Sequence, residues 1–214
     1  MHFSSVTTPL VAALATWTAA APVELGRRGE MVVGFRRVGK DQAEEYNKKG
    51  LYFDHDHVMW GAQIGKGVYT SPSRDEYEKL ADPEAWYIAH IGMASKISSL
   101  ILHRYCVLKA DESAFNAIPK TWIPEKNKSS QRLWNQHTED RIDEYVKSLG
   151  EDTATSLRFS IMPHGKDRSR QQMLIPPDLA TSKHFSVKCY AKKDDVKDGA
   201  VDYAHWNIKG DKGN

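Results

Sequence analysis

The sequence predicts a single α+β domain in which helices come early in the chain and strands come late. Its 214 residues, 40% hydrophobic and 27% charged, are enough for one hydrophobic core but not for two independent ones. Charged, helix-type stretches with capping signals lie within the first hundred residues. Short apolar runs of strand type fill the last third, and no internal repeat is visible.

The first 28 residues have the composition of a segment that is removed. Residues 9–17 are mostly apolar and are followed by Thr18-Ala19-Ala20-Ala21, a small-residue pattern typical of signal-peptide cleavage. We therefore expect a signal peptide over 1–21 and secretion to the extracellular space. Residues 22–28 end in the pair Arg27-Arg28, which indicates a possible propeptide with a dibasic processing site. No later apolar run reaches the ~18 residues of a membrane span.

Charge argues against a nucleic-acid partner. The net charge is +2, and residues 1–28 hold two Arg and one Glu, so residues 29–214 keep a net charge of +1. A nearly neutral chain lacks the basic surface with which proteins bind nucleic acid.

The first half of the domain predicts strands and helices in alternation. Residues 31–36 form an apolar run expected to be a strand, and 41–49 has the pattern of a surface helix that ends at Gly50. Residues 68–71 predict a brief strand. Ser73 and Glu76 have the spacing of a capping box for a helix over 74–80, and a second helical stretch starts near Asp82.

The second half is mainly extended. Strands are expected over 97–108, 121–124, 157–162, 173–176 and 184–190, with one helix within 131–149 that ends at Gly150. The domain is thus predicted to span 29–190. Residues 191–214 are rich in Lys and Asp and are expected to form a loosely held polar C-terminal tail, with Trp206 as the side chain that docks on the domain.

The two cysteines, Cys106 and Cys189, both lie in strand-type runs. In an oxidising compartment an isolated pair most simply forms a disulfide, which would stabilise the fold by roughly 4 kcal/mol. Two buried free thiols are the alternative. Asn127-Lys128-Ser129 is a sequon in a polar stretch, so we expect a glycan at Asn127 on a surface loop.

Three short motifs stand out when they are taken together. Phe35-Arg36 ends the first strand, Gly65-Lys66-Gly67 precedes Val68-Tyr69-Thr70-Ser71, and Arg170-Gln171-Gln172 precedes a strand that ends in Pro176-Pro177. This combination resembles the three catalytic motifs of the ADP-ribosyltransferase toxin family, in the form of a secreted, fungal-type catalytic domain like that of heat-labile enterotoxin.

The resemblance implies an ADP-ribosyltransferase-like fold, in which two small packed β-sheets with flanking helices form an NAD cleft. It implies that Arg36 binds a phosphate of NAD, since its guanidinium offers a rigid fork of donors. Arg37 is the alternative if the motif is shifted by one residue. Thr70 and Ser71 would fix the backbone of the cleft or bond the nicotinamide ribose. Phe35, Tyr69 or Trp86 would stack on the nicotinamide ring. NAD would be the substrate, and no metal is needed.

Gln172 departs from the family pattern, because a catalytic Glu is expected at that position. Gln172 can accept a hydrogen bond from the ribose but cannot take a proton from a nucleophile. The sequence therefore predicts an NAD glycohydrolase or mono-ADP-ribosyltransferase, with hydrolysis less impaired than transfer. The alternative is a catalytically silent effector that keeps the fold and binds a host protein. Arg168 and Arg170 would lie in the target-recognition loop, where they would repel a target arginine.

Two further patterns carry less weight. Residues 54–57 alternate Asp and His, but consecutive loop positions point in different directions, so a solvated loop is expected and no metal site. Scattered histidines such as His103, His137 and His164 leave open an unrelated secreted hydrolase or nuclease with a His/Glu pair.

Overall fold

The computed structural model describes residues 29–55, 62–76, 103–134, 138–162 and 169–212. Within them the chain forms seven strands, four α-helices and two short 3-10 helices. The strands are β1 (Glu30–Val38), β2 (Val68–Thr70), β3 (Arg104–Asp111), β4 (Lys120–Trp122), β5 (Leu157–Ile161), β6 (Gln171–Ile175) and β7 (Phe185–Tyr190). The helices are α1 (Lys40–Lys49), α2 (Glu112–Ala117), α3 (Glu139–Ser148) and α4 (Pro177–Ala180), and the 3-10 helices are Lys193–Asp195 and Tyr203–His205.

The strands form two small sheets. The first has the order β1-β3-β7 and is antiparallel throughout. The second has the order β2-β6-β5-β4, in which only the β4-β5 pair is parallel. The predicted α+β class with two small sheets is confirmed.

The two sheets meet where β1 crosses the end of β2. The amide of Phe35 donates to the carbonyl of Ser71 (2.8 Å), and the amide of Ser71 donates back to Phe35 (2.8 Å). Gly34 permits this approach: a Cβ on it would lie 2.7 Å from Thr70 Oγ1 and 3.0 Å from the Tyr203 hydroxyl. The pairing of β1 with β3 also shifts register between Val32 and Gly34. Because Gly34 has no Cβ, the two sheets can approach each other closely at this position.

The disulfide predicted from the sequence is present. Cys106 of β3 and Cys189 of β7 are register partners and are bonded to each other. The backbone amide and carbonyl of Cys189 face away from β3 and bond the Asn47 side chain of α1, at 2.8 and 3.0 Å. Helix α1 thus covers part of the outer edge of β7, which limits pairing of that edge with other chains.

The segment after Tyr190 differs from the expected loose tail. Val196 and Tyr203 are fully buried, and Trp206 packs on Tyr203 and Phe115. The amide of Val201 also donates to the carbonyl of Pro72 (2.8 Å). Burial of these few apolar side chains holds a polar segment in place, and average composition does not reveal such anchors.

Most predicted elements within the described ranges are confirmed. The helix expected within 131–149 is confined to Glu139–Ser148. Helices α2 and α4 and the two 3-10 helices were not predicted, although Asp111 caps α2 by accepting from the amide of Ala114 (2.8 Å). Residues 1–28, most of the helix predicted over 74–80, the helical stretch after Asp82 and the start of the strand predicted over 97–108 lie outside the described residues. No helix in the described ranges is long and apolar enough to cross a membrane.

Candidate active site

Arg36 lies on the inward side of β1, next to the place where the sheets meet. Its side chain is 9% exposed, and its Nη1 donates to the carbonyl of Tyr69 (3.0 Å). Its Nε has no hydrogen-bond partner. Among the described residues no carboxylate forms an ion pair with Arg36. A buried donor without a partner is unfavourable, so the Arg36 guanidinium is suited to donate to an acceptor that a ligand brings.

Arg36 opens into a small pocket between the sheets. The pocket encloses about 10 Å³, room for about one water molecule. Its lining comes from β1, α1, the loop after α1 and the Gly-x-Gly turn, and comprises Arg36, Gln42, Tyr46, Phe53, Asp54, Ala62 and Gly65–Tyr69. Burial raises the pKa of the Tyr46 hydroxyl, and the Arg36 charge opposes this shift. Tyr46 is therefore a neutral hydrogen-bonding group near neutral pH.

Tyr69 holds the Gly-x-Gly turn closed. Its hydroxyl donates to the carbonyl of Gly65 (2.7 Å) and accepts from the amide of Ile64 (3.0 Å). Burial raises the pKa of this phenol far above its usual value, so it stays protonated. The hydroxyl thus both donates and accepts within the loop, and the residue is 8% exposed. The structure thus gives Tyr69 a role in shaping the loop rather than an open face for stacking.

Thr70 faces away from Tyr69, because consecutive residues of a strand point to opposite faces. Its Oγ1 lies 3.3 Å from the Met173 carbonyl and 3.3 Å from the Tyr203 hydroxyl, in the main core. Ser71 is fully buried, and its Oγ donates to the carbonyl of Ser73 (2.8 Å). Both hydroxyls fix the backbone of the strand, which is one of the two roles expected for them.

Phe35 lies on the opposite face of β1 from Arg36. Its ring is in a separate core cluster with Val107 and Val196, under the C-terminal segment. It is 2% exposed. The structure therefore does not bring the Phe35 ring to the Arg36 pocket, and stacking on nicotinamide is not available to it there.

Gln172 lies on the same face of the second sheet as Tyr69, since Tyr69 pairs with Leu174 and Gln172 is two residues away. Its Nε2 donates to Gln63 Oε1 (2.9 Å) and to Ser160 Oγ (3.0 Å). Gln63 precedes the Gly-x-Gly turn, and its neighbour Ala62 lines the Arg36 pocket. The loop from Ala62 to Gly67 thus connects the surroundings of Arg36 with those of Gln172, whereas Thr70 is on the other side of the sheet.

The residues expected around the recognition loop are only partly described. Arg168 lies outside the described residues. Arg170 is not a solvated charge: its side chain is 10% exposed and its Nε lies 3.6 Å from Glu76 Oε2. This ion pair links the segment after β2 to the residue that precedes β6.

Asn127 lies in a tight turn of the surface loop. Its Oδ1 accepts from the amides of Ser129 (3.0 Å) and Gln131 (2.9 Å), and its Nδ2 donates to Gln131 Oε1 (2.8 Å). No group of three or more His, Cys, Asp or Glu side chains in the described part of the chain is placed to hold a metal ion.

A family model described as a family of unknown function, DUF5910, matches residues 62–211. The chain belongs to the DUF5910 family. The DUF5910 match starts at Ala62, so it includes the loop with Gln63, the strand with Gln172 and the C-terminal segment with Tyr203. None of the curated proteins matches the chain.

Sequence reasoning missed Gln63, Ser160 and Arg158. The run Leu157–Ile161 alternates apolar with polar residues, Arg158 and Ser160 being the polar ones, and this period of two was the available signal. Arg158 is buried, with Nη1 on the Ile64 carbonyl (2.9 Å) and Nη2 on the Thr153 carbonyl (3.0 Å). Arg158 therefore attaches Ile64, the residue just before the Gly-x-Gly turn, to β5. For Gln63, a single amide in a glycine-rich loop, no sequence signal was available.

Proposed function

We propose that this DUF5910 member binds NAD and hydrolyses its nicotinamide–ribose bond. The observation that supports this most is Arg36, whose buried guanidinium forms no ion pair among the described residues. A phosphate of NAD would accept charge-assisted hydrogen bonds from this guanidinium. Because the pocket beside Arg36 holds about one water molecule, NAD binding there requires the pocket lining to move.

Gln172 would bind a ribose hydroxyl through its carbonyl oxygen. As the bond from ribose C1′ to the nicotinamide nitrogen breaks, its electron pair leaves with nicotinamide and positive charge develops on the sugar. A hydrogen bond that strengthens at this stage lowers the barrier. Water then adds to C1′ and releases its proton to solvent. Gln172 takes no proton, which is why hydrolysis is proposed rather than transfer to a protein side chain.

A second candidate is a protein that binds NAD or a host protein without turnover. It is favoured by the surroundings of Gln172, where the described residues within hydrogen-bond distance are neutral amide and hydroxyl groups. In that case the same Arg36 pocket would bind a ligand, but no bond would break.

The test measures nicotinamide release by the purified full chain, with Arg36→Lys as the variant. Lys keeps the charge but loses the two-pronged geometry of the guanidinium. The neighbouring Arg37→Lys is the control, since consecutive strand residues point to opposite faces. If the protein hydrolyses NAD, the wild type and Arg37→Lys should release nicotinamide at similar rates. The rate for Arg36→Lys should be lower by about tenfold or more. NAD binding without release would support the second candidate, and absence of both would refute the proposal.

We also propose that the protein is secreted. The Cys106–Cys189 disulfide requires an oxidising environment, and the Asn127 sequon lies on a surface turn. Mass spectrometry of the protein from culture medium should show a first residue at 22 or 29 and a glycan at Asn127. An intact Met1 on an intracellular protein would contradict this.

A further inference from the structure

Three buried polar side chains, two of them on strands β5 and β6, are joined to one another by hydrogen bonds on one face of the second sheet. Gln63 Nε2 donates to the carbonyl of Ile161 (2.9 Å) and to Ser160 Oγ (3.1 Å). Ser160 Oγ donates to the carbonyl of Ile161 (3.1 Å). Gln172 Nε2 donates to Gln63 Oε1 and Ser160 Oγ. Gln63 is 9% exposed, Ser160 is fully buried and Gln172 is 8% exposed.

The carbonyl of Ile161 determines how the amide groups of Gln63 and Gln172 are oriented. A carbonyl oxygen can only accept, so the end of the Gln63 amide that faces it must be the Nε2 group. The other end, Oε1, then faces Gln172 and can only accept in turn. The Gln172 amide must therefore present its own Nε2 to Gln63.

This order leaves one acceptor unused. Both donor hydrogens of Gln172 Nε2 are taken by Gln63 and Ser160. Gln172 Oε1 accepts no hydrogen bond from any residue that the structure describes. The amide is thus held with its oxygen directed away from the network, where it can accept only from a group that the described protein does not supply.

We propose that Gln63 is a positioning residue that fixes the amide of Gln172, so that Gln172 Oε1 accepts a hydroxyl of the ligand. The inference rests on the proposed function for the identity of the ligand, a ribose of NAD. The arrangement of the amides rests only on the hydrogen bonds within the protein.

The same network disfavours an acid at position 172. A carboxylate there would place an oxygen against Gln63 Oε1 with no hydrogen between them. Gln63 cannot turn its amide around, because its oxygen would then face the carbonyl of Ile161. Only the protonated acid, which can donate to Gln63 Oε1, fits this site. The network thus favours an amide over an acid at position 172, where the sequence resemblance leads one to expect a glutamate.

The first experiment measures the pH dependence of the melting temperature for Gln172→Glu, with and without Gln63→Leu. If Gln63 holds its oxygen toward position 172, the introduced carboxyl keeps its proton in the folded state above its usual pKa of about 4.3. The folded state then binds more protons than the unfolded state, so raising the pH from 5 to 8 destabilises the variant. We expect its melting temperature to fall by at least about 3 °C relative to wild type.

The double variant should show a smaller fall, because the opposing oxygen is gone. An equal fall in the single and double variants, or none in either, would overturn the proposed role of Gln63. Thr121→Val is the control for loss of one buried hydrogen bond in the same sheet, since Thr121 Oγ1 donates to the Leu157 carbonyl (3.4 Å). It should lower the melting temperature without pH dependence over this range.

Hydrogen exchange in the wild type covers the case in which Gln172→Glu does not fold. The Nε2 protons of Gln172 should exchange more slowly than those of Gln131, which is exposed and uses only its Oε1 within the described residues. Equal exchange rates would refute the network.

NAD titration completes the test. Gln63→Leu should raise the dissociation constant about tenfold, whereas Thr121→Val should not change it. If wild type fails to bind NAD, the proposed function fails, while the pH dependence and the exchange rates still decide the role of Gln63. If wild type binds and Gln63→Leu binds equally well, Gln63 does not position Gln172 for this ligand.

Discussion

Replacement of Gly34 by alanine tests the way in which the two sheets are joined. The added methyl group would lie 2.7 Å from Thr70 Oγ1, 2.8 Å from Thr70 Cβ and 3.0 Å from the Tyr203 hydroxyl. Thr70 and Tyr203 are each 1% exposed, so neither can move aside into solvent. Something in the core must shift, either β1 relative to β2 or the C-terminal segment that carries Tyr203.

Such overpacking of a core costs about 1–3 kcal/mol. For a domain of this size we expect the melting temperature to fall by roughly 2–12 °C, and urea unfolding should give the free energy directly. Gly199→Ala is the control, because a Cβ at Gly199 meets nothing within 4 Å and the backbone there does not have a positive φ. It should change stability by less than about 0.5 kcal/mol.

A double variant localises the effect. Thr70→Ala removes Oγ1, the atom nearest to the new methyl group, so Gly34→Ala should cost less in that background than in wild type. If Gly34→Ala is as stable as Gly199→Ala, the close approach of the strands described here is wrong.

Three further predictions concern the core. Burial lowers the pKa of Lys120 to about 8 from about 10.4 in the unfolded chain. Between these pH values the unfolded state binds more protons than the folded state, so stability rises with pH. The unfolding free energy of wild type should therefore increase by up to about 1.4 kcal/mol per pH unit relative to Lys120→Met. Urea unfolding at pH 7.5 and 9.5 checks this, and a pH-independent difference would contradict it. Replacing Cys106 and Cys189 by Ser should lower the unfolding free energy by about 4.5 kcal/mol, from the separation of 83 residues; an unchanged urea midpoint would refute this. Tyr203→Phe should cost about 1 kcal/mol by removing the hydroxyl near Thr70, and a melting temperature equal to wild type would show that this contact contributes nothing.

Much of the fold follows from local signals in the sequence. Helix α1 ends just before Gly50, which has a positive φ of 89°, and the apolar runs 157–162 and 173–176 lie in strands, as predicted. The pairing of strands was not predictable in this way. Which strand lies beside which, and the junction at Gly34, depend on contacts between residues far apart in the chain. The anchoring of the C-terminal segment by Val196 and Tyr203 is of the same kind.

For the candidate site, the sequence indicated Arg36 and Gln172 but not their surroundings. Strand alternation separates Thr70 from Gln172 and Phe35 from Arg36, and this follows from the register of pairing rather than from motif spacing. Gln63 and Ser160 complete the environment of Gln172 through side-chain hydrogen bonds. Such bonds depend on the path of a glycine-rich loop, and composition does not determine that path.

NMR observation of the Arg36 side chain during NAD titration tests the central claim most directly. Arg36 Nε has no partner in the protein, so a phosphate bound there should shift the resonance of its Nε proton, and that of Arg37 should stay in place. The proposed function predicts this shift, saturating with the same NAD dependence as nicotinamide release. An Arg36 signal that stays unmoved at NAD concentrations that support release would place the substrate elsewhere and contradict the proposed site.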